Sequence, residues 1–313
     1  MAKASAVPWL QSLRVAFRGG SAREQLFGTF LVAPTVAWIG VVIAYPVLLT
    51  IWLSVHNRRM VEPHPRFVGL EHYMSFLMSD EFWRQVVLTV EWTMWNLVVI
   101  VPIGLLVGVL LNQSVPGFSR LRTWILLPWV FPIVVVFLMW KWMLDPMVGV
   151  VNPLLIESGF AERPISFLGD RRYAMVTVSM VNAWRWIPFM GVVALAALKT
   201  VPGDLQEAAR VDGANPWQVF VHITFPHIVP ALSVTVLILI MWLVNMFPPV
   251  WLLTQGGPAN ATRILPVSIY IEAFQLFHMS RAAALSVLLL LVAIVLGGLY
   301  LRVFGDPSGV QQS

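Results

Sequence analysis

Three ionisable side chains lie inside long apolar runs of this sequence: Glu91, Lys141 and Arg185. A charge near the middle of a bilayer is costly unless it faces water or a partner. Lys141 lies close to the end of its run, where its amine can reach the membrane surface, and Glu91 lies about two turns inside its run, where it can pair with a cation. Arg185 lies near the middle of its run. It is therefore predicted to face a wet cavity or a partner.

Catalytic constellations are missing from the sequence. There is no G-x-x-x-x-G-K-[ST] pattern to hold ATP phosphates, and no G-x-S-x-G or H-E-x-x-H. His222 and His227 have the wrong spacing for one helical face, and the absence of cysteine excludes disulfides and thiolate metal sites. We expect no catalytic residue, no metal site and no cofactor in this chain. Any use of ATP and Mg²⁺ would have to come from a separate ATPase chain.

Composition predicts an all-α membrane protein. Hydrophobic residues make up 58% of the chain and charged residues 11%, and the net charge of +5 is spread along the chain, which does not favour nucleic-acid binding. Each apolar run reaches the ~20 residues that span a bilayer. Six transmembrane helices are predicted, at residues 26–55, 85–111, 123–144, 173–198, 228–254 and 282–304.

The ends and loops divide around these runs. We expect a tail at 1–25, a transmembrane domain at 26–305 with a polar loop at 199–227, and a tail at 306–313. The first tail is predicted to be a loose tail or, alternatively, a helix on the membrane surface with Trp9, Leu10, Leu13 and Phe17 on its apolar face. The first run has no cleavage site and should remain in place. Lys and Arg are divided evenly between the two sides, so their distribution does not orient the chain.

The first half of the polar loop is predicted to form a short helix. Asp204 can cap its N-terminus, with Glu207 three residues later completing a capping box, so that the helix begins at Leu205. Gly213 is the expected end, because glycine takes the left-handed conformation without penalty. A small protrusion made of Leu205, Ala208, Ala209 and Asp212 on one face would suit a docking partner.

The second half is predicted to form another short helix. Asn215 followed by Pro216 is a capping residue with proline at the first helical position. This helix is expected to stop near Pro226. The sequence therefore predicts two short helices between the fourth and fifth membrane runs.

Spaced residues in this loop resemble the signature loop of binding-protein-dependent ABC importer permeases, of the carbohydrate branch that includes maltose-type and glycerol-phosphate-type permeases. The pattern consists of Glu207-Ala208-Ala209, Gly213, Ile223 and Phe225-Pro226, with Phe225 in place of the usual leucine. Asn182-Ala183-Trp184, Pro188-Phe189 and Leu252–Pro258 are also similar to that family. The resemblance covers most of residues 85–305.

The resemblance implies that the loop is cytoplasmic and seats in an ATPase, with Glu207 making a charged contact. The alternative is that Glu207 only caps its helix. The implied ATPase-coupling residues are Asp204, Leu205, Glu207, Ala208, Ala209, Asp212, Gly213 and Trp217. Both termini would be cytoplasmic, in a bacterial inner membrane. The implied partners are two ATPase subunits, a sugar-binding protein outside the membrane that meets loops 56–84 and 145–172, and a second permease, which Gly256-Gly257-Pro258 suggests is a different chain.

The same resemblance implies a sugar site in the membrane. Its lining residues would be Asn182, Arg185, Trp186, Phe189, Leu239, Trp242, Leu243 and Met246. Aromatic rings could stack on sugar faces, while Asn182 and Arg185 could donate hydrogen bonds. Arg185 prompts the hypothesis of an anionic cargo; the alternative is an ion pair of Arg185 with Glu91 or with another subunit.

Two other classes of function compete with an ABC importer. A secondary transporter would usually contain two related halves and an intramembrane ion-coupling set. No internal repeat is obvious, and Glu91 is the single acid in the runs. A membrane-embedded enzyme acting on a lipid or sugar would need an acid, base or nucleophile within the bilayer. ATP dependence and co-purification of an ATPase would separate these classes.

Overall fold

The computed structural model describes residues 22–57, 66–113 and 124–304. The predictions for the surface helix at 9–17 and for the tail at 306–313 lie outside the described residues. Contacts divide the chain into two units, residues 1–53 and residues 54–313.

The described part of the first unit is one long apolar helix with an irregular turn in its middle. Helix α1 (Ala22–Ile39) continues through a π-helical turn (Gly40–Ala44) into α2 (Tyr45–Ser54). Pro46 follows the π turn by two residues, and the change of hydrogen-bond register there accommodates a residue without an N–H. The stretch Phe27–Ser54 is long and apolar enough to cross a membrane.

The second unit is helical apart from one small hairpin, which the all-α prediction did not include. The hairpin pairs two-residue strands, His56 with Phe67 and Asn57 with Arg66. The described elements of the second unit, in chain order, are β1 (His56–Asn57), β2 (Arg66–Phe67), α3 (Glu71–Leu77), α4 (Asp80–Asn112), α5 (Leu127–Val130), α6 (Ile133–Met143), α7 (Val151–Glu157), α8 (Ala174–Leu198), α9 (Gly203–Val211), α10 (Pro216–Val219), a π turn (Phe220–Thr224), α11 (Phe225–Val244), α12 (Pro248–Thr254), α13 (Leu265–Tyr270), a π turn (Ile271–Gln275) and α14 (Met279–Phe304).

Five of the described helices are long and apolar enough to span a membrane, whereas the sequence predicted six. They are Phe27–Ser54, Asp80–Asn112, Ala174–Leu198, Pro216–Val244 and Met279–Val303. The predicted span at 123–144 is instead broken into α5 and the 11-residue α6. Phe131 adopts an extended conformation with ψ 144°. The physical reason is Pro132, whose ring disfavours the helical conformation of the residue before it.

The predicted span at 228–254 also has different bounds. Its helix ends at Val244, and α12 begins anew at Pro248. Two consecutive prolines, Pro248 and Pro249, supply no backbone N–H to continue the preceding helix. The span gains length at its other end, because the helix already begins at Pro216.

Helices α4 and α8 form the central contact of the second unit, and small residues allow their close approach. A Cβ added to Gly104 would lie 2.5 Å from Met190 Cβ, and one added to Gly108 would lie 2.6 Å from Ala194 Cβ. Close packing of this kind holds membrane helices together where there is no hydrophobic effect between them. The buried amide of Asn182 adds a polar link, since its Nδ2 donates to Asn96 Oδ1 at 2.7 Å.

Candidate functional site

Helix α9 stands out from the unit with all its side chains at least partly exposed. None of its residues is buried, and Leu205 and Val211 are 51% and 87% exposed. The predicted Asp204–Glu207 capping box is wrong: the helix begins at Gly203, directly after the extended Pro202, and no side chain caps it. Asp204 lies in the first turn, where a carboxylate still favours the helix dipole. Within the described residues the Glu207 carboxylate has no hydrogen bond or ion pair, so the cap-only interpretation of Glu207 is not supported.

The turn after α9 follows the predicted chemistry more closely. Gly213 has φ +89°, as expected of a residue that ends a helix in the left-handed conformation. Asn215 caps the next helix, accepting from Gln218 N at 2.9 Å, and its own N–H donates to Gln218 Oε1 at 2.8 Å. The predicted cap at Asn215 is therefore confirmed, and it forms a capping box with Gln218 that the sequence analysis did not predict. We call residues 203–219 the elbow.

The helix that follows the turn is long, not short. It was predicted to stop near Pro226, but it runs from Pro216 through the π turn to Val244. The π turn ends at Thr224, so Pro226 falls in the first turn of α11. Pro226 follows the π turn by two residues, as Pro46 follows the π turn of the first unit, and the change of hydrogen-bond register there accommodates a residue without an N–H.

A groove of about 640 Å³ lies beside the elbow. Its walls are mainly apolar and come from the end of α4 and from α10, with Trp217 70% exposed at its edge. Trp217 stacks on Phe220, their ring centroids 6.0 Å apart. The elbow therefore presents apolar groups and the Glu207 carboxylate on a single protruding element.

Four aromatic rings from three helices meet at a second place. Trp186 and Phe189 on α8 lie 5.2 Å and 5.7 Å from Trp242 on α11, and Phe189 stacks on Trp129 of α5 at 5.8 Å. Trp242 is 43% exposed. We call Trp129, Trp186, Phe189 and Trp242 the aromatic cluster. It offers ring faces of the kind that stack on the C–H faces of sugars.

Arg185 borders the aromatic cluster. Its guanidinium carbon lies 5.7 Å from the Trp186 ring centroid. Nη2 donates to the backbone oxygen of Trp129 at 3.4 Å. Nε is buried, and neither it nor the buried Nε1 of Trp186 has a hydrogen-bond partner in the structure. The cluster is thus joined to a cation whose hydrogen-bonding capacity is largely unused.

The remaining predicted lining residues are placed differently. Asn182 is fully buried, and its Nδ2 donates a hydrogen bond to Asn96. Its Oδ1 has no hydrogen-bond partner in the structure. Leu239 and Leu243 are each 1% exposed, and the backbone oxygen of Leu243 accepts from Trp92 Nε1 at 3.0 Å. Met246 is half-buried and packs against the core. The structure therefore brings together Arg185, Trp186, Phe189 and Trp242, with the other four behind or beside them.

Trp129 is the member of the site that the sequence analysis missed. It lies in α5, four residues long, which ends just before the break at Phe131-Pro132. A proline inside an apolar run was the available signal, because backbone that leaves a helix at membrane depth is tolerated where it lines a cavity or is buried in protein. The break leaves the Trp129 carbonyl free of the helix and within reach of Arg185.

Charged groups are concentrated at the opposite face, where α4 and α14 begin. Arg263 Nη1 lies 3.0 Å from Glu81 Oε1, and Arg281 Nε lies 3.3 Å from the mostly buried Glu272. The neighbouring Gly256 has φ +87°, in the turn that was predicted after the fifth helix. In the same region, the N–H groups of Met147 and Val148 donate to Asp145 Oδ1 and hold the pKa of that carboxyl below its usual value.

Comparisons with known proteins agree on one family. The family described as "Binding-protein-dependent transport system inner membrane component" matches residues 100–304. The trehalose/maltose transport system permease protein MalF of Thermococcus litoralis is 30% identical over 284 residues, covering 90% of this chain and 94% of that protein. The diacetylchitobiose uptake system permease protein DasB of Streptomyces coelicolor is also 30% identical, covering 93% and 89%.

A solved structure has the same fold. It is a bacterial ABC transporter involved in the import of the acidic polysaccharide alginate, with a TM-score of 0.77 and 25% identity. The similarity covers 91% of this chain and 96% of the chain compared.

Proposed function

The chain belongs to the family of inner membrane components of binding-protein-dependent transport systems, and we propose that it forms, with a second permease, the pathway by which a saccharide crosses the membrane. It is a permease subunit of an ABC sugar importer, in which a separate ATPase subunit hydrolyses ATP. The observation that carries the proposal is the joining of an exposed elbow to an aromatic cluster by one continuous helix, residues 216–244.

The elbow supports docking of an ATPase. The elbow is a mainly polar segment that carries three exposed apolar side chains, Leu205, Val211 and Trp217. Exposed apolar groups of this kind commonly mark a protein interface. The Glu207 carboxylate is exposed and is not used within the described part of the chain. Two ATPase subunits, one on each permease, would grip the two elbows, and closure of the ATPases on ATP would move them.

The aromatic cluster supports a saccharide as the solute. Trp186, Phe189 and Trp242 can stack on sugar rings, and Arg185 can donate to hydroxyl or acidic oxygens. The relatives transport sugars that range from neutral disaccharides to an acidic polysaccharide by their names. Asn182, Leu239, Leu243 and Met246 would support these residues from behind or beside them.

The proposed arrangement in the membrane has six segments with the elbow in the cytoplasm. Five would be the long helices, and the sixth would be the broken pair α5 and α6. Both termini would then be cytoplasmic, and residues 56–84 and 145–172 would face the binding protein outside a bacterial inner membrane. The second permease would be a related but different chain.

Transport by the reconstituted assembly tests this function. We expect labelled oligosaccharides, presented with the binding protein, to enter proteoliposomes with ATP and to be unaffected by a protonophore. Glu207→Ala should reduce the amount of ATPase that co-purifies with the chain, whereas Glu157→Ala at the opposite face should not. Uptake that stops with the protonophore and needs no ATPase would instead establish a secondary transporter.

A further inference from the structure

Arg185 has no carboxylate partner in the part of the chain that the structure describes. The ion pairs found there join Glu81 to Arg263 and Glu272 to His278 and Arg281. Glu91, the acid that the sequence offered as a partner, instead accepts from Trp95 Nε1 in its own helix at 3.4 Å. The Arg185–Glu91 ion pair is therefore not formed. Of the two ion pairs considered for Arg185, the one with another subunit is left.

The contacts of Arg185 do not offset the cost of its position. The bond from Nη2 to Trp129 O, at 3.4 Å, is longer than the usual N–H···O distance of about 2.9 Å. The Trp186 ring, 5.7 Å from the guanidinium carbon, lies within cation–π distance, but the buried Nε has no acceptor. A partly buried cation is stabilised most by an anion that accepts from its N–H groups, and Arg185 has N–H groups available for such an acceptor.

We propose that the solute is a sugar acid, whose anionic group binds Arg185 while its ring stacks on the aromatic cluster. The inference rests on the proposed transport function and adds the charge of the solute to it. A guanidinium binds carboxylate, sulfate or phosphate oxygens through charge-assisted hydrogen bonds, which are about twice as strong as neutral ones. Rings beside the cation supply the apolar half of the same recognition: Trp186 is in contact with Arg185, and Trp242 is in contact with Trp186.

The broken helix α5 gives the bound anion a structural consequence. A bound anion would draw the guanidinium toward itself, and the long bond of 3.4 Å from Nη2 to the Trp129 carbonyl is the contact that this movement would weaken. Trp129 also stacks on Phe189, with ring centroids 5.8 Å apart. Release of its carbonyl would change the surroundings of Trp129 and Trp186 together. The anion is therefore expected to change tryptophan fluorescence, whereas a neutral sugar of the same size should change it less.

Matched sugar pairs test the proposal on the complete importer in lipid nanodiscs. The probes are neutral disaccharides and the corresponding disaccharides with one uronic acid, together with methyl glucoside and methyl glucuronide as competitors. Binding is measured by calorimetry and by tryptophan fluorescence. We expect wild type to bind the acidic member about tenfold more tightly, the value of one charge-assisted hydrogen bond.

Two variants of Arg185 and one control separate charge from geometry. Arg185→Gln should bring the ratio of the affinities for the acidic and the neutral probe close to one. Arg185→Lys should keep part of the preference for the acid, because the charge remains and the planar fork is lost. Lys141→Gln is the control: Lys141 is the cation of the apolar run at 123–144 and also donates to a backbone carbonyl, Leu252 O at 3.3 Å. The preference of the Lys141→Gln variant for the acidic probe should equal that of wild type.

Three outcomes would overturn the proposal. Equal wild-type affinity for neutral and acidic probes would do so without any variant, and so would failure of methyl glucuronide to compete better than methyl glucoside. An equal loss of both probes in Arg185→Gln would show that Arg185 does not select the charge of the solute. If wild type bound no saccharide of either charge, the sugar assignment itself would fail, which is distinct from failure of the anion assignment.

Discussion

Replacing Gly108 with alanine should force helices α4 and α8 apart at a point where their backbones lie close together. The new Cβ would lie 2.6 Å from Ala194 Cβ and 3.0 Å from both Gly191 O and Leu195 N. Carbon atoms pack at about 3.5–4.0 Å, so α8 would have to retreat by about 1 Å. Two of the three obstructing atoms belong to the backbone, and no side-chain rotation removes them. Overpacking of this kind costs about 1–3 kcal/mol.

Gly298 provides the matched control. It also lies inside a long apolar helix, α14, but a Cβ there would meet nothing within 4 Å. Both substitutions gain about 1 kcal/mol of helix propensity, so the difference between the two variants isolates the packing cost. Thermal unfolding in detergent, followed by tryptophan fluorescence, should give a lower Tm for Gly108→Ala than for Gly298→Ala.

A second substitution tests whether the contact with Ala194 is the cause. In the Gly108→Ala background, Ala194→Gly should recover part of the lost stability, although the backbone contacts at Gly191 and Leu195 remain. In the wild-type background the same change should only destabilise, by about 1 kcal/mol of helix propensity. Equal Tm values for Gly108→Ala and Gly298→Ala would refute the reasoning, because they would mean that the two helices separate at no cost.

Two further predictions concern turns outside the membrane spans. Asn215→Ala removes the cap of α10 and should cost about 1 kcal/mol locally, seen as faster hydrogen exchange at residues 217–220. Asp204→Ala should leave exchange of α9 nearly unchanged, and a larger effect of Asp204→Ala would reinstate the cap that the structure rejects. The pKa of Asp145 is lowered from 3.8 by two backbone N–H donors, so its carboxylate stabilises the turn above that pH and the stabilisation is lost as pH falls through the lowered pKa. Hydrogen exchange at Met147 and Val148, corrected for the intrinsic pH dependence, should therefore show equal protection at about pH 7 and about pH 5. Asp145→Ala should abolish this protection. Loss of protection between these two pH values would contradict the assignment.

Local rules predicted the elbow in part, and the reason for the misses is visible in particular residues. Gly213 and Asn215 act as predicted, because left-handed glycine and an asparagine cap depend only on neighbouring residues. Asp204 does not cap α9, since the chain turns into the helix directly after Pro202 and leaves Asp204 inside the first turn. The pattern of Asp204 and Glu207 therefore did not reveal that the helix begins at Gly203, two residues before the predicted start at Leu205.

Membrane spans were predicted from composition, which does not report backbone breaks. Residues 123–144 are apolar enough to span, yet Pro132 keeps Phe131 extended and divides the run. Trp129 could not be assigned to the site, because its position depends on contacts with Phe189 and Arg185, 60 and 56 residues away in sequence. The aromatic members Trp186, Phe189 and Trp242 were grouped through family resemblance, and their ring contacts are found in the structure.

The wrong prediction at Pro226 matters most for how the elbow could act on the aromatic cluster. A helix that stopped there would have placed a flexible joint between Trp217 and the membrane span. Instead the helix is continuous from Pro216 to Val244, and it carries Trp217 at the elbow and Trp242 in the cluster. The 25 residues between them correspond to about 38 Å at 1.5 Å per residue. A displacement of the elbow by a docked ATPase would therefore reach the aromatic cluster along a single helix, rather than through a loop that could absorb the motion. The irregularities of that helix are the π turn at 220–224 and the two prolines that follow it, Pro226 and Pro230.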